Sequence, residues 1–170
     1  RAKFSARLMP GDDRCNHSFS SGAAALRPAS VLIPVIDRDS ELTVLFTRRT
    51  EHLQAHAGQI SFPGGGAETA DASPVATALR ETEEEIGLHR RQVEILGSLD
   101  EHPTVTGYLI TPVVGLVSPP FDLRPHKDEV AEIFEVPLVY LLNAANYRRD
   151  SMIRNGQTRE FDAVPYGPHY

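Results

Sequence analysis

The chain is poor in the things that brace, anchor or tether a protein. With one cysteine, Cys15, in 170 residues it can form no internal disulfide, which fits a reducing compartment and makes the cytoplasm the expected location. Cys15 lies in a polar N-terminal stretch and reads as a bystander thiol. No apolar run approaches the roughly 20 residues of a membrane span, and the opening RAKFSARLMPGDDRC lacks the apolar centre of a signal peptide, so no membrane partner is expected. The first residue is Arg1 and not methionine, as in a processed or trimmed terminus. A basic stripe with interleaved aromatics is missing and the net charge is -6, which argues against a nucleic-acid partner. Internal repeats, low-complexity tracts and an interdomain linker are absent as well. At 41% hydrophobic and 24% charged, the chain suits one globular domain, expected over residues 31–170 behind a partly ordered arm at 1–30.

Acid is abundant, and it is concentrated. RETEEEIG (80–87) places four glutamates within the five positions from 81 to 85. Like charges three or four residues apart on a helix cost a few tenths of a kcal/mol per pair (~0.2–0.5), so the cluster is either tolerated on a solvated face or neutralised. The helix that carries it is predicted over 74–86, with Ser73 as N-cap, Pro74 at the first helical position and Gly87 just past the end. At ~100° per residue, Val75, Ala78, Leu79, Thr82 and Ile86 form a buried stripe, with Glu81, Glu84 and Glu85 on the adjoining one. Glu83 and Arg80 fall outside that acidic stripe. Three carboxylates converging beside a buried face suit a hard divalent cation such as Mg²⁺ or Mn²⁺.

Ahead of the helix, ISFPGGGAETADAS (60–73) holds three consecutive glycines, Gly64 to Gly66, which allow backbone to approach a ligand closely; a flexible turn is the plain alternative. Elsewhere the pattern reads as strands. VLIPVI (31–36) and LTVLFTR (42–48) form a hairpin, with Pro34 at an edge or bulge. Further strands are expected at 93–99, 108–117 and 129–136, a short helix near 137–143, and a second hairpin over 151–161 turning at Asn155-Gly156.

These residues resemble a known family. GGGAETADASPVATALRETEEEIGL (64–88) is similar to the Nudix hydrolase signature G-x5-E-x7-R-E-U-x-E-E-x-G-U, where U is bulky and apolar. The second half matches from Arg80 to Leu88, with Thr82 the weak position. In the first half Ala72 stands where the pattern has glutamate, and Asp71 and Glu68 are the nearest acids. LFTRRTEHLQAHAGQISFPGG (45–65) resembles the upstream motif of the coenzyme A pyrophosphatase branch. Thr47, Arg49, Gly58 and Phe62 through Gly65 match it, Thr50 departs mildly, and Gln54 replaces an arginine.

The resemblance implies an α/β fold, a Nudix-type α/β/α sandwich with a mixed β-sheet and the loop-helix motif, and members of the family usually continue with a further C-terminal helix. It implies metal ligation by Glu81, Glu84 and Glu85, and a catalytic role for Glu81 with Arg80 holding the carboxylates. Glu129 is the candidate base from a later loop, with a plain surface residue as the alternative. Arg49, Gln54, Gly64 and Gly65 are candidate substrate-binding residues. The implied substrate is coenzyme A or an acyl derivative, cut to 3′,5′-ADP and 4′-phosphopantetheine. ADP-sugars or non-standard nucleoside triphosphates are alternatives, as is a non-catalytic nucleotide-binding module. No organic cofactor is implied, and a homodimer is compatible with the resemblance. His52, His56 and His102 lack metal-ligand spacing.

Overall fold

Side chains alternate across a strand, so RPASVLIPVIDR must present Leu32 and Ile36 to one face and Val31, Ile33 and Val35 to the other. In the computed structural model, which describes residues 25–51, 58–154 and 157–170, this segment is β1 (Arg27–Arg38), beginning at Arg27 rather than at the expected Val31. β2 (Glu41–Arg49) returns antiparallel through a tight connection at 39–40, pairing Val35 with Val44 and Arg38 with Glu41. β7 (Tyr108–Val117) runs parallel to β1 along its length, from Arg27 opposite Tyr108 to Ile36 opposite Val117. β5 (Val93–Ser98) and β6 (His102–Pro103) extend the sheet antiparallel beyond β7, and β8 (Val130–Pro137) lies antiparallel outside β2. The outcome is the expected α/β fold with a mixed sheet, here of eight strands.

Two short strands absent from the sequence reading complete it. β1 and β2 pair only near their shared turn and then part. The segment 60–66 wedges between them, with β3 (Ile60–Ser61) bonded to β2 and β4 (Gly64–Gly66) bonded to β1. Between these two, the Pro63 carbonyl accepts from Leu32 N–H at 2.9 Å.

Pro34 corrects the sequence reading: it lies in an interior strand, not on an edge. β4 partners β1 at residues 29–31 and β2 partners it at 35–38, so residue 34 falls in the seam between them. Leu32 donates toward that side, and two residues on, the missing proline donor points the same way, where no ladder bond is required. Pro112 repeats the device in β7, between the stretches bonded to β5 and to β6.

α1 (Pro74–Ile86) has the predicted bounds, because its ends are set locally. Ser73 Oγ accepts from Ala76 N–H at 3.2 Å, Pro74 needs no donor, and Gly87 adopts φ 72°, bonding its N–H to the Glu83 carbonyl. The helix packs Ala78 and Ile86 onto Leu32, Ile36, Val113 and Val117, all almost fully buried. Full burial of each larger aliphatic side chain stabilises by about 1.5–3 kcal/mol. The buried face is rotated from the expected one, taking in Thr77 and Glu85 and leaving Val75 and Leu79 half-buried.

α2 (Leu138–Leu141) is one turn of helix, and α1 is the only longer helix among the described residues. β9 (Arg148–Arg154) and β10 (Gln157–Ala163) pair antiparallel in a separate sheet, while their Asn155-Gly156 turn lies outside the described residues. No helix among the described residues is long and apolar enough to cross a membrane.

Candidate active site

The wedge and α1 meet at the glycines. Gly64 has φ 153°, and a Cβ there would sit 2.4 Å from the Ser30 carbonyl oxygen, so only glycine fits between β1 and the helix. Its N–H donates to Glu85 Oε2 at 3.1 Å. A Cβ on Gly65 would meet the Glu81 carboxyl carbon at 2.5 Å. The close approach expected for a ligand is therefore used first by the protein: Glu81 packs against bare backbone. Gly66 has open space at its Cβ position, and its carbonyl accepts from Arg80 at 3.0 Å.

Arg80 organises this corner. Its Nε and one terminal nitrogen make a two-pronged pair with Asp71 at 3.0 and 2.9 Å, and its other terminal nitrogen reaches Glu81 at 3.0 Å and Glu84 at 3.1 Å. Bidentate pairs of this kind are strong and orienting. The hydrogen bonds from Arg80, helped by the Glu68 amide, hold the Asp71 carboxyl well below the usual carboxylate range, and Asp71 in turn raises the Arg80 guanidinium. Asp71 also accepts from the Thr77 hydroxyl at 3.0 Å. Sequence reasoning had noted Asp71 only as an acid near the vacant pattern position; the signal for its role was its approximate spacing from Arg80.

The carboxylates differ sharply in setting. Glu85 is buried, and burial pushes its carboxyl up to about 7, against the opposing pull of the Gly64 N–H and Arg49 and with added repulsion from Glu129 and Glu81. Burial also raises Glu81, with Arg80 opposing and Glu84 and Glu129 adding to the rise. Glu84 is largely exposed. Glu83 lies apart and pairs with Arg90 at 3.2 Å.

Glu129 reaches this group through the end of the helix. The last carbonyls of α1 need partners, and they find them in the following loop: Arg124 N–H bonds to the Ile86 carbonyl at 2.7 Å and His126 N–H to that of Glu85 at 2.8 Å. Thr50 N–H holds the Glu129 carbonyl at 2.9 Å from the other side. Thus Glu129, distant in sequence, acts electrostatically on both Glu81 and Glu85.

Arg49 stands where β2 leaves the sheet. One terminal nitrogen lies 3.6 Å from Glu85 Oε1, and its Nε is buried with no hydrogen-bond partner among the described residues. Arg49, Gly64 and Gly65 line a cleft of about 710 Å³ that also includes Phe62, Arg27 and Tyr108. Arg27 had been assigned to the N-terminal arm; it is the first residue of β1. Phe62 is fixed by stacking on Phe46, centroids 4.8 Å apart. Gln54, His52 and His56 lie outside the described residues.

Among the described residues no three acidic, imidazole or thiol groups already converge on one point. Arg80 draws Glu81 and Glu84, while Glu85 turns to Gly64 and Arg49. The donor chemistry nevertheless fits a hard divalent ion: the donors are carboxylate oxygens, and those of buried Glu85 and half-buried Glu81 have raised proton affinity, a condition that a nearby double positive charge relieves.

Residues 26–155 match the NUDIX domain family. Over 132 residues the chain is 43% identical to a protein of Escherichia coli K12 named as the uncharacterized Nudix hydrolase NudL, covering 78% of this chain and 68% of that one. Among solved structures, a Caenorhabditis elegans Ap4A hydrolase in a binary complex superposes with a TM-score of 0.55 at 16% identity, over 63% of this chain and 77% of that chain. The NUDIX domain of Shewanella oneidensis NrtR, complexed with ADP ribose, gives 0.52 at 20% identity, over 79% and 87%. Both structural likenesses concern the fold.

Proposed function

We propose, for a chain that belongs to the NUDIX family and is a pyrophosphohydrolase acting on nucleoside diphosphate-linked substrates, that the substrate is coenzyme A or an acyl-coenzyme A. The products are 3′,5′-ADP and 4′-phosphopantetheine or its acyl form. Water adds to one phosphorus of the diphosphate, and the bridging oxygen leaves with the other. The observation that carries the hydrolase chemistry is the pair of buried Glu85 and half-buried Glu81 packed against Gly64 and Gly65, beside a cleft that Arg49 lines.

In this reading Glu81 and Glu85, with Glu84 at the rim, hold Mg²⁺ or Mn²⁺. A divalent ion, when bound, screens the phosphate oxygens and makes water a better nucleophile. Arg80 orients Glu81 and Glu84, and Asp71 orients Arg80. Arg49, whose side chain is partly exposed on the cleft, donates from its guanidinium to a phosphate oxygen. Glu129 takes the proton of the attacking water on a carboxylate oxygen, its partial exposure leaving it open to solvent.

The coenzyme A assignment rests on the motif LFTRRTEHLQAHAGQISFPGG. One observation favours a second reading, an ADP-sugar or nucleoside triphosphate. Part of that motif serves the sheet, since the Thr47 hydroxyl bonds to the Ser61 carbonyl at 3.2 Å and Pro63 bonds to Leu32, and of its described side chains only Arg49 brings a charge to the cleft. A panel of diphosphates and triphosphates incubated with Mn²⁺, with products identified by mass, separates the two. Coenzyme A should have the highest kcat/KM. ADP-ribose or a triphosphate turned over more than about tenfold better, a gap of ~1.4 kcal/mol in transition-state stabilisation, would overturn the coenzyme A assignment and leave the hydrolase intact.

A further inference from the structure

Several arginines of this acidic protein are neutralised by carboxylates: Arg38 by Glu135, Arg48 by Glu132, Arg80 by Asp71, Arg90 by Glu83, Arg124 by Asp122 and Arg149 by Glu160, all within 3.2 Å. The two that line the cleft are not. Arg49 has only a 3.6 Å approach to Glu85. Arg27 has no carboxylate or hydrogen-bond partner for its guanidinium among the described residues; it lies over the Tyr108 ring, 4.2 Å from the centroid. Among the described residues no aspartate or glutamate lines the cleft with them. A protein of net charge -6 thus has a cavity whose charged lining, among the described residues, is two arginines.

These two cations are attached at separate points along the cavity wall. Arg49 is beside Glu85 at the level of Gly64, which pairs with Val31 of β1. Arg27 is four residues back along the same extended strand, ~13 Å at the usual rise per residue, a separation that two long side chains can narrow. Its platform is fixed in place. Arg27 and Tyr108 are partners in the parallel register, Arg27 N–H donates to the Gly107 carbonyl at 2.9 Å, and Tyr108 N–H donates to the Thr104 hydroxyl at 3.0 Å. A guanidinium held over an aromatic face by its charge leaves its N–H groups available to grip a phosphate through two parallel hydrogen bonds.

We propose that Arg27, seated on Tyr108, is a second anion dock that takes the phosphomonoester on the ribose of a substrate whose diphosphate lies at Arg49. The inference rests on the proposed substrate class, and it supplies that substrate with a cation in a chain where Gln54 stands in place of the family's arginine. The dock reads a group remote from the bond that breaks and acts in binding rather than in chemistry.

The test is calorimetric titration of the whole protein, with Mg²⁺ present, by adenosine 3′,5′-bisphosphate and by adenosine 5′-monophosphate. The bisphosphate should bind about tenfold or more tightly than the monophosphate, and Arg27→Gln should erase that preference while leaving monophosphate affinity within about twofold. Arg27→Lys, which keeps the charge and loses the flat fork, should retain part of it and guards against a folding defect in the first variant. Equal affinity of the two probes for the unaltered protein, or equal weakening of both by Arg27→Gln, overturns the dock. Failure to cleave coenzyme A with the preference intact would instead discard the substrate assignment and leave the dock standing.

Discussion

The two flanks of α1 carry the same residue type and make opposite use of it. Glu81 and Glu85 lie under the glycine strand with side chains 19% and 6% exposed; Glu83 and Glu84, next to them in sequence, are 33% and 59% exposed and end on arginines. Burial raises proton affinity on the first flank, where repulsion from Glu129 adds to it. A run of acid in sequence is thus divided by the wedge into a pair packed against the glycine strand and a pair nearer solvent, with Glu84 at the rim of the first. The lesson is that the partner element, more than the charge run, defines the site.

The hardest blow to the buried flank is Glu85→Gln, which keeps size and the bond from Gly64 but removes the anion. Metal-dependent kcat/KM should fall ~10³-fold, on the scale of several kcal/mol of lost charge stabilisation, with the fold retained by circular dichroism. Full turnover would show that Glu85 holds no ion. Next comes Gly65→Ala, whose new Cβ displaces Glu81 without touching its charge. A 10–100-fold loss, roughly that of removing a group that orients a ligand, is expected in steady-state assays, whereas Gly66→Ala, in open space, should stay within about twofold.

A third test reads the same flank without turnover. In metal-free protein Glu85 binds its proton more tightly folded, at about 7, than unfolded, near 4.5. Its contribution is therefore fully present below the unfolded value, declines as pH rises between the two, and is gone above the folded one. Urea unfolding in chelator should show wild-type stability falling by on the order of 1–3 kcal/mol from pH 4.5 to 8 relative to Glu85→Gln, and parallel curves would contradict the burial argument. The exposed flank should respond least. Glu84→Gln should cost roughly tenfold or less in kcat/KM, and Glu83→Gln should stay within about twofold and shift stability by no more than ~0.5 kcal/mol, as for surface ion pairs.

What could be read from the sequence follows the range of the forces involved. The helix ends were legible because Ser73, Pro74 and Gly87 act on neighbouring residues, and the long strands because their apolar alternation is local. β3 and β4 were not, since Gly64 to Gly66 carry no side chains to alternate and pair only because β1 and β2 diverge. Pro34 was misplaced for the same reason, as a seam between partner strands has no mark in either strand alone. Within the site, the split between Glu81/Glu84/Glu85 and Glu83 came from helical geometry. The rotation that buries Glu85 more deeply than Glu81, and the tether that brings Glu129 across, depend on contacts made only in the fold.

The prolines of the sheet also act as alignment keys. Pro34 and Pro112 occupy neighbouring strands, each at a gap between two partners. Slipping β1 by two residues against β2 and β4 would preserve which side chains face the helix, the one error that apolar patterning cannot penalise. It would, however, bring a residue without a donor opposite a carbonyl that requires one, and strand the donor of a neighbour in the gap. A lost hydrogen bond that leaves a buried group unsatisfied costs about 1–3 kcal/mol, enough to reject the slipped sheet while it assembles. Proline, usually a strand's liability, here serves as the notch that fixes where Gly64 meets Val31, and so where Glu85 finds its amide.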